Sequence, residues 1–95
     1  MIGELVAKGE NTFPTRTLTK RLFQVLDKSE NQMQRLEFEL LNDQCKIIDE
    51  FNLGDHLLIQ FRIRSTDWRN AQGRSRMIQN LVTIKIEKID PENSI

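Results

Sequence analysis

"NLGDHLLIQF", residues 52–61, feeds a Gly-Asp turn directly into a strand. Glycine tolerates positive φ, so Gly54 permits the chain to reverse just before the alternation begins. Beyond the turn, Leu57, Ile59, Phe61 and Ile63 alternate with Gln60, Arg62 and Arg64. A period of two puts apolar and polar side chains on opposite faces, the pattern of a half-buried strand. Residues 76–89, "RMIQNLVTIKIEKI", repeat it, with Ile78, Val82, Ile84 and Ile86 expected on one face and Gln79, Thr83, Lys85 and Glu87 on the other. Between the two, "DWRNAQGR" supplies Asn70 and Gly73, which suit a chain reversal. A long hairpin is expected.

Working upstream, "RLEFELL", residues 35–41, sets Leu36, Phe38 and Leu40 against Glu37 and Glu39. "TLTKRLFQVLD", residues 17–27, is a second strand whose register stays open, because Leu18, Leu22 and Leu26 compete with Phe23 and Val25 for the inner face. "IGELVAKGENTF", residues 2–13, suits a bent first strand that Pro14 interrupts. A single short helix is expected, capped by Asn42 or Asp43, with Cys45, Ile48 and Phe51 at helical spacing and Asn52 and Gly54 ending it. The order is three strands, a short helix, then two strands.

That order predicts an all-β fold, a five-stranded OB-fold Greek-key barrel with one short helix between strands 3 and 4, whose loops and strand 2 to 3 face commonly bind oligonucleotides. An SH3-like barrel or an α+β sheet would also accept five strands. The helix position and the "NLGDHLLIQF" join favour the OB arrangement. The domain is expected over residues 1–89, with "DPENSI", residues 90–95, as a frayed polar tail.

Composition bounds the function. A chain of 95 residues, 38% apolar and 29% charged, closes one core and is that of an ordinary globular protein. No apolar run reaches the roughly 18 residues of a membrane span and the N-terminus lacks a secretory pattern, so a cytoplasmic protein without membrane association is expected. One cysteine and one histidine, Cys45 and His56, provide no disulfide, no zinc set and no nucleophile pair. Cys45 reads as a small buried apolar residue. The carboxylates stand in no recognisable motif with a base, phosphate cradle or metal ligands, so neither an enzyme nor a cofactor is expected.

Charge is segregated although it sums to zero. Residues 37–55 carry six acids and Lys46, a local balance of −5, whereas residues 60–77 carry five arginines, Asp67 and the only tryptophan, a balance of +4. A cationic groove needs only a local excess to attract phosphate.

The run "FELLNDQCKIIDEFNLGDHLLIQFRIRSTDWRNAQG", with "TKRLFQV" before it, resembles a family of small bacterial proteins described only as a domain of unknown function and akin to single-stranded-DNA-binding proteins of OB type. The resemblance covers residues 3–87. It is firmest at "NDQCKIID", at "NLGD", and at Trp68 with Asn70 and Gly73. Where the family carries aromatics in its last strand, this chain has Met77, Ile78 and Ile84. The resemblance implies the OB-fold and single-strand binding without catalysis.

Proteins that hold single strands without reading sequence need cations for phosphates and flat side chains for bases. Arg62, Arg64 and Trp68 are expected in line on one face of the hairpin, with Arg69, Arg74 and Arg76 at its tip and return strand. Arg16, Lys20 and Arg21 are a second candidate bank of positive charge. The phenylalanines, Phe13, Phe23, Phe38, Phe51 and Phe61, read as core, and Phe23 and Phe38 become candidates only if they face outward. The expected partner is single-stranded DNA, or RNA, in replication, recombination or repair, with a homo-oligomer and a replication or repair protein as further partners. The plain alternative for the hairpin is a solvated edge with Trp68 as a packing lid. The competing function is a protein-interaction module whose barrel docks a partner by its acidic face, its hairpin or an exposed strand edge.

Overall fold

The computed structural model describes residues 1–27 and 33–90, the side chain of Trp68 excepted. Of the expected tail, residues 91–95 lie outside the described residues. Along the chain run β1 (Ile2–Lys8), β2 (Thr12–Thr15), β3 (Leu18–Asp27), β4 (Gln34–Leu41), a 3-10 helix (Asn42–Glu50), β5 (His56–Arg69) and β6 (Ser75–Ile89).

Five strands close on themselves. β1 pairs antiparallel with β5 from Ile2↔Leu58 to Glu4↔His56, and β5 pairs antiparallel with β6 along its whole length. β6 runs parallel to β4 at Phe38↔Leu81 and Glu39↔Val82, β4 is antiparallel to β3, and β3 returns to β1. The ring β1-β5-β6-β4-β3-β1 is the OB-fold barrel, and the expected five strands are β1, β3, β4, β5 and β6. β2 is additional. It pairs only with β3, at Thr12↔Lys20 and Thr15↔Leu18, and contains Pro14. Pro14 therefore does not merely end the first strand but lies within a short edge strand, where a missing N–H costs no ladder bond.

The barrel encloses Leu5, Phe23, Val25, Phe38, Leu40, Leu57 and Ile59, and Cys45, Ile48 and Phe51 join them from the helix and the residue after it. Phe23 and Val25 win the register left open in β3, while Leu18, Leu22 and Leu26 are half-buried on its other face. Cys45, Ile48 and Phe51 are each three residues apart, which matches the three-residue turn of a 3-10 helix better than the 3.6 of an α-helix. The expected cap is corrected. The N-cap is Leu41, with no side-chain cap hydrogen bond, and Asn42 adopts the left-handed region at φ 54°. Asn42 Oδ1 instead accepts from the Thr19 amide at 3.1 Å, tying the helix entry to β3.

The inner face expected for the last strand is also corrected. Gln60 pairs with Lys85 but Phe61 pairs with Thr83, so Ile84 has no opposite number. That bulge moves the alternation by one residue. Thr83, expected outside, is 4% exposed, whereas Ile84, expected inside, is 54% exposed.

β5 touches β1 only as far as Leu58, and β6 touches β4 only at Leu81 and Val82. Arg64–Arg69 and Ser75–Asn80 therefore form a two-stranded ribbon with no third strand beside it among the described residues. The molecule measures 52 × 34 × 18 Å with a radius of gyration of 15.2 Å. A compact chain of this length would have about 12 Å. Ile63 at the base of the ribbon and Ile78 within it are exposed although alternation puts each on an expected inner face, and Met77, next to Ile78 and so on the ribbon's other side, is exposed as well.

Candidate nucleic-acid interface

The ribbon is built from the turn inward. Gly73 takes φ +80°, a conformation that side chains rarely adopt, and its amide donates to the Asn70 carbonyl at 3.0 Å. Asn70 Oδ1 accepts from the amides of Gln72 and Arg74, both at 3.0 Å, and the Asn70 amide donates to the Arg74 carbonyl at 2.9 Å. One side chain thus fixes the reversal foreseen from "DWRNAQGR", and with it the pairs Arg62↔Val82, Arg64↔Asn80, Thr66↔Ile78, Trp68↔Arg76 and Arg69↔Ser75.

Residues two apart in a strand share a face, so Arg62 at the barrel end and Arg64 and Thr66 on the ribbon line one side of the hairpin. Arg62, Arg64, Arg69, Arg74 and Arg76 are all exposed. Trp68 has its backbone in β5 on the free ribbon, and the expectation for its indole lies outside the described residues. Asp67, Arg69, Ser75, Arg76 and Met77 border a cleft of about 270 Å³ near the tip.

The three cations of the second expected bank do not share one face. Arg16 is exposed in the turn between β2 and β3. Lys20 and Arg21 are neighbours in a strand and point to opposite sides. Arg21 Nε donates to the Gly9 carbonyl at 2.7 Å, and its guanidinium also reaches the Cys45 carbonyl at 3.2 Å and the Asp49 carboxylate at 2.9 Å. Arg21 is a clip holding the barrel to its helix. Lys20 faces the other way, with Nζ 2.6 Å from Glu39 Oε1.

Glu39 was assigned to the wet face by alternation and does lie outside the barrel, opposite Leu22 and Val82, yet it is only 4% exposed. Arg64 approaches it from the ribbon, at 3.6 Å from Oε2. Glu39 therefore brings Lys20 of β3 and Arg64 of β5 to one place. Sequence reasoning missed this, since nothing in "RLEFELL" separates Glu39 from Glu37.

The interior aromatics are occupied with one another. Phe23 stacks on Phe38 with centroids 5.4 Å apart and 19° between planes, and Phe61 meets Phe38 edge-on at 5.3 Å. Phe23 and Phe38 face the barrel interior, and Phe61 packs against them. Phe13, read as core, is instead exposed on β2, where no element of the described residues covers it. Its signal was Pro14, which marks an edge strand. Cys45 is buried, and burial pushes its thiol pKa up despite the nearby Arg21. Its Sγ donates to the Leu40 carbonyl at 3.2 Å, a packing role.

Residues 3–87 match the family described as a domain of unknown function, DUF3127, and the chain belongs to that family. No curated protein matches it. Among solved structures it is similar to the mitochondrial single-stranded DNA binding protein Rim1 of S. cerevisiae, with TM-score 0.71 and 13% identity over 94% of this chain and 90% of that one. A selenomethionine-labelled structure of the same yeast protein gives TM-score 0.68 and 12% identity over 94% and 90%. A Plasmodium falciparum SSB in complex with ssDNA gives TM-score 0.59 and 13% identity over 95% and 91%. The likeness is one of fold, since a fold hosts many functions.

Proposed function

We propose that this member of DUF3127 binds single-stranded nucleic acid, DNA before RNA, without catalysis and without strong sequence preference. The reading is supported chiefly by one observation, the exposure of five arginines along one hairpin, Arg62 where it leaves the barrel and Arg64, Arg69, Arg74 and Arg76 beyond it. Guanidinium groups donate to phosphate in a planar fork and also stack on bases. Trp68 on the same ribbon and the exposed Phe13 are the side chains proposed to stack on bases, with Arg16 and Lys20 contributing charge. The names of the similar structures, single-stranded DNA binding proteins in yeast mitochondria and in Plasmodium falciparum, agree with this direction. Work in replication, recombination or repair is part of the same proposal.

The test is a titration with oligothymidine, following the emission of Trp68, the only tryptophan in a chain with no tyrosine. Quenching is expected. If about four phosphates are neutralised, log affinity falls with log salt at a slope of about −3. A flat salt response without quenching overturns the proposal.

A protein-interaction module is favoured by a different observation, the exposed Ile63, Met77 and Ile78 on the ribbon. Recovery of a stable partner after nuclease treatment, by a protein that binds no oligonucleotide, would establish it. Light scattering reports homo-oligomers under either reading.

A further inference from the structure

We infer that Glu39 is an internal counter-ion that holds Lys20 and Arg64 on the barrel face and competes with a strand's phosphates for them, an inference that depends on the proposed nucleic-acid binding. A carboxylate on the outward face of a strand normally stands in water. Glu39 does not, because Lys20 and Arg64 close over it. An enclosed charge has to be compensated, and here two cations share one carboxylate, leaving a surplus of one positive charge.

The two partners are held unequally. Lys20 Nζ lies 2.6 Å from Oε1, a charge-assisted hydrogen bond, whereas Arg64 lies 3.6 Å from Oε2, too far for one. Oε2 accepts no hydrogen bond among the described residues. Arg64, with half its side chain exposed, is therefore attracted to Glu39 by charge without being locked to it. A phosphodiester offers the same negative charge and is free to bring an acceptor oxygen within hydrogen-bond distance of the guanidinium. Beside the pair is a cleft of about 190 Å³ whose lining includes Lys20, Glu37 and Glu39 but not Arg64, so a phosphate entering it would meet Lys20 directly and Arg64 only once that side chain swings away from Glu39. Glu39 thus sets how tightly the face grips a polyanion. While it pairs with them, neither cation counts in full toward binding.

The experiment compares Glu39→Gln with Glu37→Gln in oligothymidine titrations across salt. Glu37 is on the same face but exposed, and it accepts a hydrogen bond from Gln24 Nε2 at 3.2 Å. Removing its charge alters the field without releasing a paired cation. Glu39→Gln is expected to bind about threefold to tenfold more tightly than the native chain at low salt, the range of one or two ion pairs. Its salt slope steepens by about 0.7 to 1.4 as one or two more cations engage. Glu37→Gln gains less, and in a Lys20→Met/Arg64→Met background the gain from Glu39→Gln disappears. A gain no larger than that of Glu37→Gln, or one that survives loss of both cations, overturns the inference.

A second comparison holds even if Glu39→Gln folds poorly. Arg62 has no carboxylate partner among the described residues, so Arg62→Met should weaken binding more than Arg64→Met, and equal or reversed losses overturn the inference. Equal binding by the native chain and Glu39→Gln removes only this inference, whereas no binding by either removes the proposed function with it.

Discussion

Arg21 and Gly9 are joined by a 2.7 Å hydrogen bond from Nε to the carbonyl just past the end of β1, and the same guanidinium reaches the helix through Cys45 and Asp49. One mostly buried cation therefore ties β1, β3 and the helix together. Arg21→Met should lower stability by about 1.5–3 kcal/mol, since it orphans partners of a charged group. Urea denaturation checks this. The salt slope for oligonucleotide binding should stay that of the native chain, and a slope that becomes shallower would place Arg21 among the phosphate contacts after all.

Phe38 stands between Phe23 and Phe61 at the centre of the barrel. Its replacement by alanine is expected to cost about 3–5 kcal/mol through lost burial and the cavity left behind. Denaturant midpoints measure it. A loss below about 1 kcal/mol would mean that the barrel collapses around the gap with little penalty.

Gly3 lies where β1 crosses from β5 to β3. A Cβ built there would collide with Val25 Cγ1 and sit 3.0 Å from the Leu26 carbonyl oxygen. Val25 is fully buried and the other neighbour is backbone, so neither yields easily. Gly3→Ala should therefore destabilise by about 1–3 kcal/mol, the range of overpacked cores, and amide exchange should quicken first along the β1 pairings. Native-like exchange in that variant would contradict the close packing.

The pH response can be anticipated at Asp55. Its carboxylate accepts the Asn52 amide at 2.8 Å and lies 3.6 Å from Lys88 Nζ. That amide hydrogen bond is the main reason its pKa falls below the ordinary carboxylate value, with Lys88 adding to it. A depressed folded pKa means that the unfolded chain takes up the proton first as acid is added. The contribution is then complete above the unfolded value of about 4 and is lost as pH falls through the lower folded one. Stability curves of the native chain and Asp55→Asn should differ at pH 6 and approach each other toward pH 2. Curves that stay parallel through that range would exclude the linkage.

The hairpin turn gives a local test. Gly73 at φ +80° suits glycine, and an added Cβ meets no atom within 4 Å, so only backbone strain opposes it. Gly73→Ala should cost on the order of 1 kcal/mol. The cost should appear as faster amide exchange on the ribbon while the barrel amides keep their protection. Uniform loss of protection would show that ribbon and barrel unfold as one unit.

What the linear chain determined by itself was the element order and the inner faces of its best-patterned strands. Leu57 and Ile59, and Phe38 and Leu40, point inward as their period of two requires, and Asn70 with Gly73 turns the chain as their backbone preferences require. These are local properties, fixed by adjacent residues. The tertiary structure decided what depends on a neighbour from elsewhere in the chain. The bulge that exchanges Thr83 and Ile84 arises from the pairing of β5 with β6. Phe13 is exposed because it stands on β2, an edge strand paired only with β3 among the described residues, and Met77 because the ribbon outruns the barrel. The basic candidates divide for the same reason: Lys20 and Arg21 are adjacent letters, yet one meets Glu39 and the other Asp49. Charge in a sequence counts cations, but whether a cation is available depends on which carboxylate the fold brings beside it.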